Sequence, residues 1–234
     1  MTRRRALAFL AAALCAPAAL GRPMAGTPSR KGAPVKLPET TIPGKVSVGQ
    51  AISRRRTVRN FSPTPSLTPA ELSTLLWAAQ GVTGPGGKRA APSAGALYPM
   101  DVIIIAGKDG VEGLDAGTWR YLPEEHALGP LKQGDLRAAA AGDCLGQSWM
   151  ARAPASFVIT AEYPRITGKY GQRGVRYAIV EAGCISENLF LMAEALNLAA
   201  GIIGAFDDHS LAGTLGLAGT GLEPLLVMPV GHEG

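Results

Sequence analysis

The densest group of chemistry-bearing side chains lies in Arg54-Arg55-Arg56-Thr57-Val58-Arg59. This segment places four arginines within six residues, with one hydroxyl between them. Guanidinium groups form paired hydrogen bonds with phosphate oxygens, and each charged bond contributes about 1.5–3 kcal/mol. The segment therefore indicates either a phosphate-binding site or, taken by itself, a solvated basic turn.

Two later segments are built from small residues that would let backbone amides approach a flat ligand. The first, residues 91–99, contains Ser93, Gly95 and Leu97. The second, residues 202–207, contains Gly204 and Ala205. Each has an ordinary alternative, because the first could be a tight loop before a strand and the second a plain core strand.

Other common site patterns are absent from the sequence. His126, His209 and His232 are far apart, and no CxxC or HExxH pattern occurs, so we expect no metal site. The glycines of residues 84–87 follow a helix rather than a strand, which is a poor dinucleotide fingerprint. The two cysteines beyond the N-terminal segment, Cys144 and Cys184, could pair or remain free thiols.

The N-terminus has the pattern of an export signal. Three arginines at positions 3–5 precede an apolar, alanine-rich run that is too short for a comfortable membrane span. We interpret residues 1–21 as a signal of the twin-arginine type, with an uncleaved anchor as the alternative. This predicts a periplasmic or otherwise exported protein whose mature form has no stable membrane span.

The charge of the chain gives no indication of a nucleic-acid partner. The net charge is +5, and removal of residues 1–21 leaves 20 basic against 18 acidic residues. No basic stripe with interleaved aromatic residues is present. Residues 22–47, rich in Pro, Gly, Thr, Ser and Lys, are predicted to form an extended linker or arm before one domain at 48–234.

Hydrophobic periodicity and turn residues predict interleaved helices and strands. The best-marked helix begins after Thr68, closes a capping box with Glu71 and ends near Gln80. Further predicted helices cover residues 50–54, 135–141 and 176–198, and a loop covers 81–95. Predicted strands cover residues 101–106, 117–122, 127–131, 155–161, 200–205 and 225–230. This order favours an α+β layered fold.

The helix predicted at 176–198 carries apolar residues nearly all round, which indicates burial on more than one side. Ala182 and Gly183 would also let another backbone approach closely. We therefore expect this helix to lie at a subunit interface.

The ordered set of these segments resembles the FMN-dependent nitroreductase superfamily, and within it the SagB-type dehydrogenases. The match runs from about Val48 to Gly231 and includes the segments at 55–61, 71–81, 92–99, 169–177, 181–189, 203–207 and 223–225. The resemblance implies a nitroreductase-like α+β fold with an antiparallel-rich central sheet flanked by helices. It also implies an intertwined homodimer that binds two FMN molecules at the subunit interface.

Several residues match positions that bind the flavin in this family. Arg55, Thr57 and Arg59, with the adjacent Arg56, match the N-terminal flavin-binding segment. Ser93, Gly95 and Leu97 match a loop that reaches the flavin from the partner chain, whereas Gly204 and Ala205 match a strand end beside the ring. His232 is the candidate for the C-terminal basic residue that helps hold the phosphate in many members.

The pair Lys169 and Tyr170 matches a pair implicated in catalysis in azoline-oxidising members. A lysine is largely protonated at neutral pH, so burial or neighbouring arginines would have to favour its neutral form before it could act as a base. The alternative is that Tyr170 packs in the structure and Lys169 is solvated.

The resemblance implies an FMN-dependent oxidoreductase acting on a small-molecule or peptide substrate. Export would separate the enzyme from reduced nicotinamides, which favours oxidation of a substrate by hydride transfer to flavin N5. The alternatives are a nitro or quinone reductase that uses NAD(P)H and a flavin-binding module without turnover.

Overall fold

The computed structural model describes residues 32–234, so the predicted signal segment lies outside the described residues. The helices are α1 Val48–Arg54, α2 Pro69–Gln80, α3 Arg137–Asp143, α4 Pro164–Tyr170, α5 Arg173–Ala195 and α6 Asp208–Leu215. The strands are β1 Val35–Lys36, β2 Phe61–Ser62, β3 Val82–Gly84, β4 Lys88–Arg89, β5 Met100–Ala106, β6 Gly117–Leu122, β7 Ala127–Gln133, β8 Ala155–Ala161, β9 Ala199–Ala200 and β10 Glu223–Glu233. Short 3-10 turns cover Ala94–Ala96 and Ser148–Arg152.

An eight-stranded sheet in the order β1-β7-β6-β5-β8-β10-β2 organises the domain, and β9 pairs with β10. Every pairing between its strands is antiparallel. The predicted class, an α+β fold with an antiparallel sheet flanked by helices, is therefore confirmed.

The central strands β5 and β8 are buried along their whole length because helices cover both faces of the sheet. Side chains alternate between faces along a strand. Val102 and Ile104 accordingly join the core cluster formed with α2 and α5. Ile103 and Ile105 join the opposite cluster with α3 and α6.

Helix α2 begins as the sequence predicts. The Glu71 amide donates to Thr68 Oγ1 at 3.2 Å, and the Thr68 amide donates to Glu71 Oε2 at 2.8 Å. These reciprocal bonds satisfy amide groups that a helix start otherwise leaves unpaired. The cap fixes where α2 begins and therefore which of its residues reach the core.

Helix α5 is the longest element of the domain, with 23 residues. Its buried side packs on α2 and on the sheet, through residues that include Ile185 and Leu189. Its other side leaves Ile179 56% and Val180 61% exposed. Helix α5 is therefore apolar on both sides, but the rest of this chain covers only one of them.

Two sequence-based expectations about local structure are wrong. A continuous strand is predicted at 200–205, but the structure has only the two-residue strand β9 and an isolated bridge from Ile203 to Val227. The strand is interrupted because the backbone at Gly201 approaches that of Val58 closely. The loop predicted at 81–95 contains the hairpin of β3 and β4. Helices α4 and α6 were not predicted.

The described part of the arm, residues 32–47, packs against the domain. Strand β1 pairs with β7, and the side chain of Leu37 is buried. The Pro38 carbonyl accepts a hydrogen bond from the Ser73 hydroxyl at 2.7 Å and lies 3.2 Å from His126 Nε2. Among the helices of residues 32–234, none combines the length and hydropathy that a membrane crossing needs.

Candidate active site

The predicted site residues fall into two groups on different parts of the fold. We call Arg55, Thr57, Arg59, Gly204, Ala205 and His232 the arginine half-site. We call Ser93, Gly95, Leu97, Lys169 and Tyr170 the Ser93 half-site.

The backbone of the arginine half-site is fixed by strand β9. Thr57 forms a parallel bridge with Ala200, and the Val58 amide donates to the Ala200 carbonyl at 2.9 Å. Val230 and Gly231 of β10 pair with β9 from its other side. The segment at 55–59 is consequently held beside the strand that leads toward Gly204 and beside the strand that carries His232.

Two arginines of this half-site stack on aromatic rings. The Arg55 guanidinium carbon lies 5.0 Å from the centroid of Phe190, and that of Arg59 lies 5.9 Å from Trp149. Within residues 32–234, neither guanidinium pairs with a carboxylate. Stacking occupies the faces of these groups and leaves their hydrogen-bonding edges available for an anion.

Arg56 has a different environment from its two neighbours. Its Nη1 donates to the carbonyls of Ser53, Arg54 and Arg55, at 3.1, 3.3 and 2.8 Å. Ser53 and Arg54 belong to the last turn of α1 and Arg55 follows it directly, a place where carbonyls lack partners within the helix. Arg56 therefore caps α1 in this structure, and its guanidinium is less available to a ligand than those of Arg55 and Arg59.

Gly204 and Ala205 form an exposed corner. A Cβ on Gly204 would find its nearest neighbour at 3.9 Å, so the surface beside it is open. Gln147, two residues from Trp149, donates to the Ala205 carbonyl at 3.3 Å. This contact links the corner to the turn that carries the aromatic ring beneath Arg59.

His232 is partly exposed near the end of β10, opposite Ser62 of β2. The adjoining backbone is fixed because the Gly234 amide donates to the Asn60 carbonyl at 3.1 Å. His232 is thereby held beside the segment that follows Arg59.

The Ser93 half-site is built on a strained turn, residues 93–98, that we call the Ser93 turn. Gly95 has φ +64°, and Ala96 and Tyr98 also have positive φ values. Ser93 Oγ accepts a hydrogen bond from the Tyr98 amide at 2.9 Å, which closes the turn. Positive φ is costly for residues other than glycine and is typical of functional turns.

Lys169 and Tyr170, at the end of α4, lie directly against Gly95. A Cβ on Gly95 would lie 2.7 Å from Tyr170 Oη and 3.1 Å from Lys169 Nζ. The Tyr170 ring packs edge-on against Tyr177 of α5, with centroids 5.3 Å apart. The structure therefore brings this pair and the Ser93 turn together within one chain, across more than 70 residues of sequence.

A buried carboxyl group supports the Ser93 turn from behind, and the sequence analysis did not identify it. Glu181 of α5 is 2% exposed, and it lines a cavity of about 300 Å³ with Ser93, Tyr177 and Cys184. Its Oε1 accepts from Gln80 Nε2 at 3.3 Å, whereas Glu181 Oε2 and Gln80 Oε1 have no partner within residues 32–234. Burial raises the pKa of Glu181 above its ordinary value of 4.5.

Arg55 and Ser93, one from each half-site, lie at different positions along α5. Arg55 contacts Phe190, whereas Ser93 lines the cavity beside Glu181. Nine residues of helix correspond to roughly 14 Å. The exposed Ile179 and Val180 belong to the same helix. Within residues 32–234, no group of three or more His, Cys, Asp or Glu could hold a metal ion.

Comparison with known proteins gives a consistent result for most of the chain. The model of the nitroreductase family matches residues 52–232. The chain is 36% identical over 199 residues to the nitroreductase-like protein MJ1384 of Methanocaldococcus jannaschii, covering 85% of this chain and 96% of that protein.

One curated relative and one solved structure extend the comparison. The chain is 30% identical over 177 residues to McbC, the microcin B17-processing protein of Escherichia coli, covering 72% of this chain and 63% of McbC. The chain therefore spans less than two thirds of McbC. The crystal structure of a nitroreductase-like protein of Ralstonia eutropha JMP134 superimposes with a TM-score of 0.74 at 27% identity, covering 91% of this chain and 98% of that one.

Proposed function

Since the chain belongs to the nitroreductase family, whose members are generally flavin-dependent oxidoreductases, we propose that it binds FMN and oxidises a substrate by hydride transfer. The similarity to McbC supports the SagB-type branch. The observation that carries the proposal is the placement of the two half-sites. One offers Arg55 and Arg59, which have no carboxylate partner within residues 32–234, and the other offers a strained turn backed by Lys169 and Tyr170.

The residues of the arginine half-site suit an FMN phosphate. Arg55 and Arg59 supply two fixed positive charges, and His232 lies beside the same segment. A phosphomonoester carries nearly two negative charges at neutral pH, so two guanidinium groups balance it. The open surface beside Gly204 and Ala205 leaves room for a flat ring.

A second copy of the chain would complete the site. In the nitroreductases that the sequence resembles, the loop matched by Ser93, Gly95 and Leu97 reaches the flavin from the partner chain. The apolar side chains exposed on α1 and α5, Val48, Ile52, Ile179 and Val180, are the kind that a dimer interface covers. We therefore propose a homodimer in which each flavin contacts the arginine half-site of one protomer and the Ser93 half-site of its partner.

The chain's own groups would divide the chemistry between them. When bound, FMN supplies a hydride acceptor that no amino-acid side chain offers. Arg55 and Arg59 bind and orient the phosphate, and the Ser93 turn limits water access to the ring. Tyr170 Oη and Lys169 Nζ, side by side at Gly95, are placed to take or return the substrate proton that accompanies hydride transfer.

The direction of the reaction follows from the proposed location. We propose that the protein is exported by its twin-arginine-type signal, a route that carries folded proteins and so allows the flavin to bind before export. An exported enzyme meets little NAD(P)H, which favours oxidation of a small molecule or peptide. Fractionation of cells that produce the full chain tests this, because retention in the cytoplasm would contradict it.

The test of the proposed function is the absorption spectrum of the purified protein, followed by anaerobic titration with NADH and NADPH. We expect a flavin spectrum and slow bleaching by both nucleotides. Rapid bleaching would favour an NAD(P)H-dependent nitro or quinone reductase. Bound flavin that no donor reduces would indicate a non-catalytic module. A colourless protein that does not take up added FMN would reject the proposal.

A further inference from the structure

A polar cavity of about 380 Å³ adjoins the Ser93 turn through Leu97 and Tyr98. We call it the Arg89 cavity. Three arginines and one largely buried carboxylate contribute to its wall: Arg89, Arg120, Arg165 and Asp101. The function proposed above does not use these residues. Their charges and hydrogen bonds indicate what the cavity could bind.

Two of the three arginines form close ion pairs with carboxylates. Arg120 Nη2 and Arg165 Nη2 lie 2.8 and 3.1 Å from Asp101 Oδ2, and Arg165 also pairs with Glu162. The Asp101 side chain is only 9% exposed. These ion pairs satisfy Asp101 and both guanidinium groups.

Arg89, whose side chain is only 15% exposed, has a weaker ion pair than the other two arginines, because its partner is the exposed Glu124. Its Nε is buried and has no hydrogen-bond partner within residues 32–234. Its Nη2 lies 3.9 Å from Glu124 Oε1, beyond hydrogen-bond distance, and that side chain is 62% exposed. The guanidinium stacks on the Tyr98 ring at 4.7 Å, which leaves only its edge to receive an anion.

We propose that the Arg89 cavity binds the carboxylate group of a small organic acid. A guanidinium held by stacking presents parallel N–H groups that match the two oxygens of a carboxylate. Asp101 and Glu162 pair with Arg120 and Arg165, so a ligand carboxylate would compete for Arg89 only with the exposed carboxylates of Glu124 and Glu125 among the residues that line the cavity. The exposed Glu124 would give up its long contact with Arg89 to this ligand.

The cavity is connected to the Ser93 turn by hydrogen bonds. The Arg89 amide donates to Tyr98 Oη at 3.2 Å, and the Tyr98 amide donates to Ser93 Oγ at 2.9 Å. A carboxylate on Arg89 would thus bind beside the turn expected to reach the flavin. The assignment of this carboxylate to the substrate rests on the proposed function, whereas the binding of an acid does not.

The carboxylates at the mouth of the cavity lead to a second prediction, in which a substitution strengthens acid binding. Glu124 and Glu125 are exposed there, and their carboxylates repel an incoming anion. The substitution Glu124→Gln removes one of these charges and the competing contact with Arg89. Acid binding should therefore become tighter in this variant, whereas loss of the Arg89 charge should weaken it.

The test is calorimetric titration of the flavin-loaded protein with benzoate, and with benzamide as the uncharged analogue. Lys88→Gln is the matched control for Arg89→Gln, because it removes the same charge from the adjacent, exposed residue. We expect Arg89→Gln to weaken benzoate binding by about tenfold or more and Lys88→Gln to change it by less than about twofold. Glu124→Gln should strengthen binding by about twofold or more.

The proposal fails if benzoate does not bind, if benzamide binds equally well, or if Lys88→Gln weakens binding as much as Arg89→Gln. Unchanged benzoate affinity in Glu124→Gln would also contradict it, and this exposed substitution does not depend on how Arg89→Gln folds. Flavin content is measured in every variant. A variant that keeps its flavin but loses benzoate therefore separates this proposal from the proposed function.

Discussion

The contact between Gly95 and Tyr170 makes a quantitative prediction about how the active site is assembled. In the variant Gly95→Ala, the new methyl carbon would lie 2.7 Å from Tyr170 Oη and 3.1 Å from Lys169 Nζ. Ordinary contact begins at 3.4 Å, so Oη must withdraw by about 0.7 Å. A displacement of about 1 Å at a reacting group can reduce the rate by about a hundredfold.

The same variant also places a side chain at φ +64°, which costs about 1–2 kcal/mol in folding free energy. Gly86→Ala is the matched control, since Gly86 has φ +74° and nothing lies within 4 Å of its added carbon. Both variants should lose similar stability in thermal unfolding. Only Gly95→Ala should lose activity, by about tenfold to a hundredfold.

The assay measures reoxidation of the dithionite-reduced protein by menadione in a stopped-flow instrument. It follows the return of flavin absorbance and requires no knowledge of the natural substrate. In a Tyr170→Phe background, which removes Oη, the Gly95→Ala substitution should add less than about a twofold further loss. Wild-type reoxidation in a folded, flavin-loaded Gly95→Ala protein would refute this reasoning.

Three further predictions concern charge. Arg55→Gln and Arg59→Gln should each weaken FMN binding by about tenfold to a hundredfold, because each removes one charged hydrogen bond to the phosphate. Arg56→Gln should leave FMN binding nearly unchanged. Fluorescence titration measures the affinity in all three variants. Burial raises the pKa of Glu181, so the free energy of unfolding falls as the pH rises above 4.5. Glu181→Gln should therefore raise the melting temperature at alkaline pH, and this increase in melting temperature should become smaller as the pH is lowered. Burial lowers the pKa of His126 below 6.5, so the free energy of unfolding should decrease as the pH falls below that value. The decrease should be smaller in His126→Gln. Equal pH dependence in the wild type and the variant would contradict this prediction.

The elements that sequence predicted correctly have local causes. The start of α2 depends on Thr68 and Glu71, which are three residues apart and bond only to each other's cap groups. The pairing of β6 with β7 likewise follows from apolar strands separated by a short turn. Both signals lie within a window of about ten residues, so no tertiary information is needed to read them.

The errors arise where tertiary contacts override local preference. Residues 200–205 look like a continuous strand, yet a Cβ at Gly201 would lie 2.7 Å from the Val58 carbonyl oxygen, and the ladder is interrupted there. Helix α6 begins at a local cap, since the Asp207 side chain accepts a hydrogen bond from the Ser210 amide at 2.8 Å. The apolar residues of this 8-residue helix repeat over too few turns to predict a helix from the sequence.

The residues of the candidate site also divide into those that sequence predicts and those that depend on tertiary contacts. Sequence motifs indicated Arg55, Arg59 and the Ser93 turn, and the resemblance added Lys169 and Tyr170. The buried positions of Glu181 and Arg89 beside the Ser93 turn could not be predicted from sequence alone. Each depends on burial, and on partners contributed by segments far away in the chain.

The most direct test of the account is complementation between two defective chains in a mixed dimer. One chain carries Arg55→Gln and Arg59→Gln, and the other carries Gly95→Trp, so each homodimer lacks one complete half-site in both of its sites. If each flavin is held between protomers, the mixed dimer has one intact site and should bind about half the flavin of the wild type. If each site is built within one chain, every site in the mixed dimer is defective. Flavin binding no greater than that of the two defective homodimers would therefore contradict the account.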